Sequence, residues 1–385
     1  MADVDDADLT QVLTEIDRFV RQEVIPRETE MDEQDTMPAV LKEKAAAMGL
    51  FGFALPEEYG GLGLTMAQEV ELVMTVCYAA PAFRSMFGTN NGLAGQILVE
   101  TGSEDQKQKW LPAIAMGEII ASFGLTEPEA GSDPSSLTTT ARRDGGGWVL
   151  DGTKRWTTNA PAADLIMVFA RTVEADGSTG PIGVFAVPTS QPGVGIGPKD
   201  VKMGQGGSIT SEVYLTDVHL DADARVGGDD GYRIAMASVA RGRLGVAAIC
   251  VGMMRRLLDE TTAFALDRQQ GGSRIADHQL IQALIAESAT DLYAAEAMVR
   301  RCAAEIDAGG GRREDPSICK YFASEAVGRV ADRAVQVHGG MGYMRGVAVE
   351  RLYRDARLFR IYEGTSQIQQ LIIGRATTKA AERRR

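Results

Sequence analysis

Apolar residues return every three or four positions near the start of the chain, at Leu9, Val12, Leu13, Ile16 and Val20, which predicts an amphipathic helix. Val40-Leu41 to Met48, closed by Gly49, reads as a second helix with a glycine stop. Pro56–Leu64 is a loop and Met66–Tyr78 is helical again. Ser103–Leu111 opens on a capping serine followed by Glu104-Asp105. From about 121 to 228 the pattern changes to short β-type runs, Leu165–Ala170, Ile182–Val187 and Glu212–Leu215, separated by Gly, Pro and Asp. Trp148-Val149-Leu150, Asp151-Gly152 and Lys154-Arg155-Trp156 predict a hairpin turning at Asp-Gly, whose residues accept positive φ. Closely spaced strands of this kind suggest a small barrel or sandwich. Beyond about 231 the chain is helical once more, over Ile234–Leu266, Leu280–Ile306, Ser317–Val337 and Ser366–Ala381, with short connections that fit a bundle. The expected class is α+β multidomain: an N-terminal helical domain over 1–120, a middle domain over 121–228 and a C-terminal four-helix bundle over 229–385.

Composition narrows the function. The 385 residues carry 40 Lys and Arg against 53 Asp and Glu, a formal net charge of −13, which argues against general nucleic-acid binding. No stretch approaches the ~20 apolar residues of a membrane span. The acidic opening MADVDDADLT does not read as a secretory or transit peptide. Cys77, Cys250, Cys302 and Cys319 are far apart and suggest buried thiols in a reducing cytoplasm rather than disulfides. Three scattered histidines and no Cys/His spacing predict no metal site. No GxGxxG opens a βαβ unit and there is no Walker loop, so a nucleotide cofactor would not be held by either device.

Two segments carry chemistry. One is Phe123-Gly124-Leu125-Thr126-Glu127-Pro128 through Gly131-Ser132-Asp133, with Trp156-Thr157-Thr158-Asn159 after the Asp-Gly signal; the other is Ile361 to Gln369, IYEGTSQIQ. Together with Lys202-Met203-Gly204 and Ser208, Arg268-Gln269-Gln270, and Gln336 with Gly339-Gly340, this order resembles the FAD-dependent acyl-CoA dehydrogenase family over nearly the whole chain. The resemblance implies a middle β-barrel between two helical domains, which agrees with the α–β–α order.

Removing a proton next to a thioester carbonyl needs a positioned base whose acidity is weakened by burial. The resemblance makes Glu363 that base, with hydride leaving for flavin N5 and a trans-2-enoyl thioester as product. The Glu363 backbone N–H and a flavin hydroxyl would hold the thioester oxygen. Some members place the base on a bundle helix; the matching residue is Gly242, so Glu363 stands alone. By the same matching Phe123, Leu125, Thr126, Trp156 and Thr158 would meet the flavin ring, Gly131 and Ser132 the pyrophosphate, and Thr365 and Gln367 the region beside the base. Ser132, Arg243, Tyr362 and Gly364 would meet the substrate. Arg268, Gln270, Gln336, Gly339 and Gly340 would hold the adenosine half of FAD from a neighbouring subunit. Where the family usually has Phe-Gly after Arg-x-Gln, this chain has Gly271-Gly272, and Ala240 replaces a usual acidic residue. A rearranged loop or weaker FAD retention follows from the first, and loss of a CoA contact from the second.

Arg84 falls where the glutaryl-CoA branch binds a distal substrate carboxylate; the plainer reading is an arginine on a helix–helix surface, and it is preferred. Arg351, Arg354, Arg357 and Arg360 form a basic stripe, read as pairing with carboxylates at a subunit contact. The expected protein is a cytoplasmic acyl-CoA dehydrogenase of fatty acid metabolism, a homotetramer or at least a dimer, passing electrons to an electron-transfer flavoprotein. Alternatives are a glutaryl-CoA-type dehydrogenase, an oxygen-using acyl-CoA oxidase and a dehydrogenase of carrier-protein thioesters; more distant is a non-catalytic, DNA-binding homologue.

Overall fold

The computed structural model describes residues 6–385, so half of the acidic opening segment lies outside the described residues. Seven helices come first: α1 (Asp6–Phe19), α2 (Glu28–Gln34), α3 (Ala39–Ala47), α4 (Met66–Val76), α5 (Pro81–Asn91), α6 (Leu93–Thr101) and α7 (Glu104–Ala115). Eight strands follow: β1 (Ala121–Gly124), β2 (Thr140–Asp144), β3 (Gly147–Thr158), β4 (Leu165–Val173), β5 (Thr179–Pro188), β6 (Val194–Lys199), β7 (Thr210–Leu220) and β8 (Arg225–Val226). The last part holds α8 (Gly231–Asp267), a small β9–β10 hairpin (Gln269–Gln270 and Ser273–Arg274), α9 (Gln279–Asp307), α10 (Asp315–His338), α11 (Ala348–Ala356) and α12 (Ser366–Glu382). Local signals set several of these ends. Thr65 with Gln68, and Ser103 with Gln106, form reciprocal capping boxes at α4 and α7. Gly49, at φ +73, ends the turn after α3.

The strand order is β6-β7-β3-β2-β4-β5-β8, with β1 parallel to the first half of β4 and β2 parallel to its second half. The middle domain is therefore an open sheet and not the closed barrel expected, because its two end strands, β6 and β8, do not pair with each other. The sheet nevertheless buries both faces of β4. Leu165, Met167 and Phe169 join Ile97, Leu98 and Ile114 of the first domain, while Ile166, Val168 and Ala170 pack with Trp148, Leu150, Val213 and Val218 of β3 and β7. Alternate side chains of a strand point to opposite faces, so a run apolar at every position is what such a strand requires.

The Asp151-Gly152 turn is also corrected. β3 runs unbroken through it, and the hairpin turns earlier, at Gly145-Gly146 between Asp144 and Gly147. Asp-Gly instead marks a register shift against β7; Gly152 sits at φ +151, where a Cβ would come 2.4 Å from Thr139 Oγ1.

Helix α8 is long and apolar enough to cross a membrane by length and composition alone, which the composition reading did not anticipate. Most of its apolar stretch is buried, with Leu244, Ala247, Val251, Met254 and Leu257 in the main core. Gly252 brings it against α4: a Cβ there would lie 2.3 Å from the Met74 carbonyl.

The basic stripe does not need a second subunit for its partners. Arg351, buried, donates to Glu28 Oε2 at 2.5 Å, and Glu28 Oε1 accepts the Ala80 N–H at 2.6 Å. Arg354 reaches Asp32 and Glu350, and Arg360 pairs with Glu325 at 3.4 Å. Asp355 accepts the Gln205 N–H of the middle domain. Helix α11 stops at Ala356, which leaves Arg357 exposed on the following turn. These bonds tie the last domain to the first and second. Replacing Arg351 with Met leaves the Glu28 carboxylate buried beside a single N–H; it should cost ~3 kcal/mol of stability, read as a lower urea midpoint.

Candidate active site

Glu363 follows a tight turn after α11 and precedes α12, whose N-cap is Thr365; the Thr365 hydroxyl accepts the Ile368 N–H at 3.3 Å. Glu363 and Gly364 are both left-handed, at φ +54 and +83. A non-glycine residue held there stores strain that the surroundings must support. Gln369 supplies part of that support, donating to the carbonyls of Glu363 (3.1 Å) and Gly364 (2.9 Å). The Glu363 N–H meets no acceptor among the described residues.

The carboxyl group lies over Gly242 of α8. A Cβ at 242 would be 3.1 Å from Glu363 Oε2, so the missing side chain leaves room for the Glu363 carboxyl. Burial pushes the Glu363 carboxyl up to about 7, although the positive charges of Arg84, Arg243 and Lys320 pull it back down. Arg243 is buried and donates to Ser317 Oγ at 3.2 Å, while its Nε has no partner.

Beside Gly242 lies a small cleft of about 30 Å³, lined by Phe53, Val73, Glu69, Arg84, Arg241 and Gly245 among others. Arg84 is not on a helix–helix surface as preferred above. It projects from α5 into this cleft, and its buried Nε has no hydrogen-bond partner. Glu69 pairs with Arg241 across the same cleft. Burial raises the Glu69 carboxyl to about 7 against the pull of Arg241. Neither Glu69 nor Lys320 was singled out from sequence. The available signal was a charge set among buried helical positions, Glu69 between Met66 and Val70 and Lys320 between Cys319 and Ala323.

The sheet delivers the other expected positions. Glu127 and Lys154 form a fully enclosed ion pair at 2.6 Å. Burial opposes the Glu127 charge, but Lys154 and the donors of Thr138 and Thr139 hold its carboxyl at about 2. The pair, with the Arg155 N–H bonded to the Thr126 carbonyl at 2.8 Å, fixes the Leu125–Glu127 loop against β3. Leu125 is buried, and Phe123 turns inward onto Phe169 at 5.0 Å. A second register shift, between Lys154 and Thr157, puts Trp156 at φ +52 with its indole 55% exposed. Just past the end of β3, Asn159 donates to the Ser85 carbonyl at 2.9 Å, which ties this end of the strand to the helix that carries Arg84.

The donor set suits FAD. The hydroxyls of Thr126 and Thr158 have no protein partner among the described residues, Trp156 offers a ring face, and a Cβ at Gly131 would meet nothing within 4 Å, beside the exposed Ser132. Arg268, Gln270, Gln336, Gly339 and Gly340 lie elsewhere, together and exposed at one corner of the bundle. That corner is joined by Ala265, Ile275 and Val337 and by Phe264 stacked on His338 at 4.2 Å. Gly271 and Gly272, at φ +63 and +86, close the β9–β10 hairpin, so a Phe at 271 would be strained. Gln367 is exposed on the first turn of α12. Among the described residues no cluster of three metal-ligating side chains occurs, and the four cysteines are free and buried.

Comparison with known proteins decides the family. The N-terminal, middle and C-terminal domain models of acyl-CoA dehydrogenase match residues 6–118, 122–218 and 229–378. The chain belongs to the acyl-CoA dehydrogenase family. Membership makes it an FAD-dependent oxidoreductase acting on CH–CH groups. It is 37% identical to a caffeyl-CoA reductase–Etf complex subunit of Acetobacterium woodii, over 89% of this chain and 91% of that one. A glutaryl-CoA dehydrogenase of Mycobacterium smegmatis superposes with a TM-score of 0.92 at 30% identity, covering 98% and 96% of the two chains. An acyl-CoA dehydrogenase of Bacillus anthracis, solved with FAD, gives 0.91 at 31%, covering 98% and 68%.

In this acyl-CoA dehydrogenase the acidity of Glu363 has a measurable signature. The folded-state value is raised, so between pH 4.5 and about 7 the native state holds the proton longer than the unfolded chain. Stability from this group is therefore full below pH 4.5 and is lost as pH rises through about 7. Glu363→Gln should raise stability by about 2 kcal/mol at pH 8 and leave it unchanged at pH 4, by thermal unfolding.

Proposed function

We propose that the protein catalyses α,β-dehydrogenation of an acyl-CoA thioester with Glu363 as the base. The observation that carries this reading is the Glu363 carboxyl poised near neutrality over Gly242, at the edge of a small cleft. Bound FAD supplies the hydride acceptor. Glu363 takes the proton from the α-carbon as the β-carbon loses hydride, so the C–C single bond becomes the trans double bond of the enoyl product. The free Glu363 N–H suits the thioester oxygen, where negative charge develops. Phe53, Val73 and Tyr362 keep water from the α-carbon side. The same residues serve the reverse reaction by microscopic reversibility, with Glu363 returning the proton, which accommodates a relative named as a reductase.

Within this reading the acyl group ends in a carboxylate or another strong acceptor that meets Arg84. Support comes from the unpartnered Arg84 Nε in the cleft and from Arg241, which Glu69 already neutralises. The exposed bundle corner at Arg268, Gln270 and Gly339-Gly340 is read as binding FAD across a subunit contact in a homotetramer, with an electron-transfer flavoprotein as acceptor and the cytoplasm as location.

Anaerobic mixing of the FAD-loaded enzyme with a panel of acyl-CoA thioesters should bleach the flavin, with slow reoxidation in air. Glu363→Gln should slow bleaching by ~10³-fold; unchanged rates would reject the base. Arg84→Met should lower the dicarboxylic-to-monocarboxylic ratio of kcat/KM by ~30-fold, the size of a lost charge-assisted hydrogen bond. An unaltered ratio would reject the anionic acyl end.

A further inference from the structure

Helix α10 carries a buried charge that the reaction as described does not use. Lys320 has no exposed surface, and among the described residues no carboxylate lies within 4.0 Å of its ammonium. Its ammonium donates to the carbonyl of Gly364, 2.8 Å from Nζ. That carbonyl belongs to the left-handed pair Glu363-Gly364 and also accepts from Gln369. One turn earlier on α10, Ser317 accepts from Arg243. A single face of α10 thus holds both the loop of the base and an arginine beside it.

Burying an ammonium without a counter-ion costs several kcal/mol. A neutral amide could hold a carbonyl at far lower cost, so a mere tether does not account for a lysine here. What the charge faces does. We propose that Lys320 is a positioning residue for the Glu363 base, its ammonium clamping the Gly364 carbonyl and its charge favouring the ionised carboxyl one residue away. The proposal rests on the assignment of Glu363 as the base.

The charged and titratable groups around the two residues are few. Glu363 is faced by Arg84 from α5, Arg243 from α8 and Lys320 from α10. Lys320 is faced by Cys250 and Arg243 from α8, by Glu363, and by Glu325 of its own helix. Burial lowers the Lys320 ammonium to about 8, with Cys250 and Glu363 opposing the fall, so it is charged where Glu363 titrates. Arg84 lies in the cleft and would be engaged by an anionic acyl end. Lys320 is enclosed behind the loop and acts whether or not substrate is bound.

Two substitutions separate charge from hydrogen bond. Lys320→Gln keeps a donor and removes the charge; Lys320→Met removes both. In the FAD-loaded enzyme, Lys320→Gln should move the acidic limb of the kcat/KM profile up by about one pH unit, with Lys320→Arg restoring it. Lys320→Met should add a ~10-fold loss of kcat at every pH, as the loop loses its clamp. A limb that stays in place in Lys320→Gln while only the melting temperature falls would reduce Lys320 to a structural role and overturn the proposal. The second readout needs no turnover. Thermal unfolding of Lys320→Gln, Glu363→Gln and the double variant should show coupling between the two sites at about pH 7.5, between the two titrations, that vanishes at pH 4. Absence of coupling rejects the proposal even if the enzyme is active. Coupling in a protein that oxidises no acyl-CoA would reject the dehydrogenase assignment and leave the Lys320–Glu363 link standing. Should Lys320→Met fail to fold, the Gln and Arg variants decide the question alone.

Discussion

The structure turns on one electrostatic balance: a half-buried, desolvated carboxyl group that is kept ionisable. Burial alone would leave Glu363 protonated and useless as a base, and full exposure would leave it too weakly basic. Three cations from three helices, Arg84, Arg243 and Lys320, hold it near neutrality. Each comes from a different part of the chain, so the value exists only when α5, α8 and α10 are packed together. Glycine at 242 gives the carboxyl its space, because any side chain there would press on its oxygens.

Backbone strain is concentrated where the same geometry is needed. Trp156, Asn159 and Glu363 are three of the six non-glycine residues at positive φ among the described residues, and all three border the site. Each is held by something outside itself. The Thr126 carbonyl fixes the strand beside Trp156, the α5 carbonyls receive Asn159, and Lys320 with Gln369 secures the loop of Glu363. Strain of this sort persists only where neighbouring structure over-determines it. The Arg351–Glu28 and Asp355–Gln205 contacts serve that purpose at larger scale, locking the seam in which the site lies.

Helices were legible because their apolar spacing and caps are local. Helix α10, expected over 317–337, spans Asp315–His338, and the helix after Glu363 begins at Ser366 as read. The Asp151-Gly152 pair misled because its positive φ can serve a bulge as well as a turn, and β7 pairing along β3 selected the bulge. Strand positions were readable, but whether the end strands meet is a question of curvature and register that no strand encodes by itself. The arginine stripe was recognised as paired, yet its partners, Glu28 and Asp32, lie more than 300 residues away in sequence.

The sequence by itself determined most of the helices and the family motifs, and singled out Glu363 as the proposed base, since these depend on residue type and short-range order. Tertiary structure decided the environment of that base. It moved Arg84 from a supposed surface into the cleft, paired Glu69 with Arg241, and aimed the ammonium of Lys320 at the carbonyl after Glu363. The reason is physical: acidity is set by charges and solvent within a few ångströms, and distances of that kind between remote segments exist only in the packed molecule.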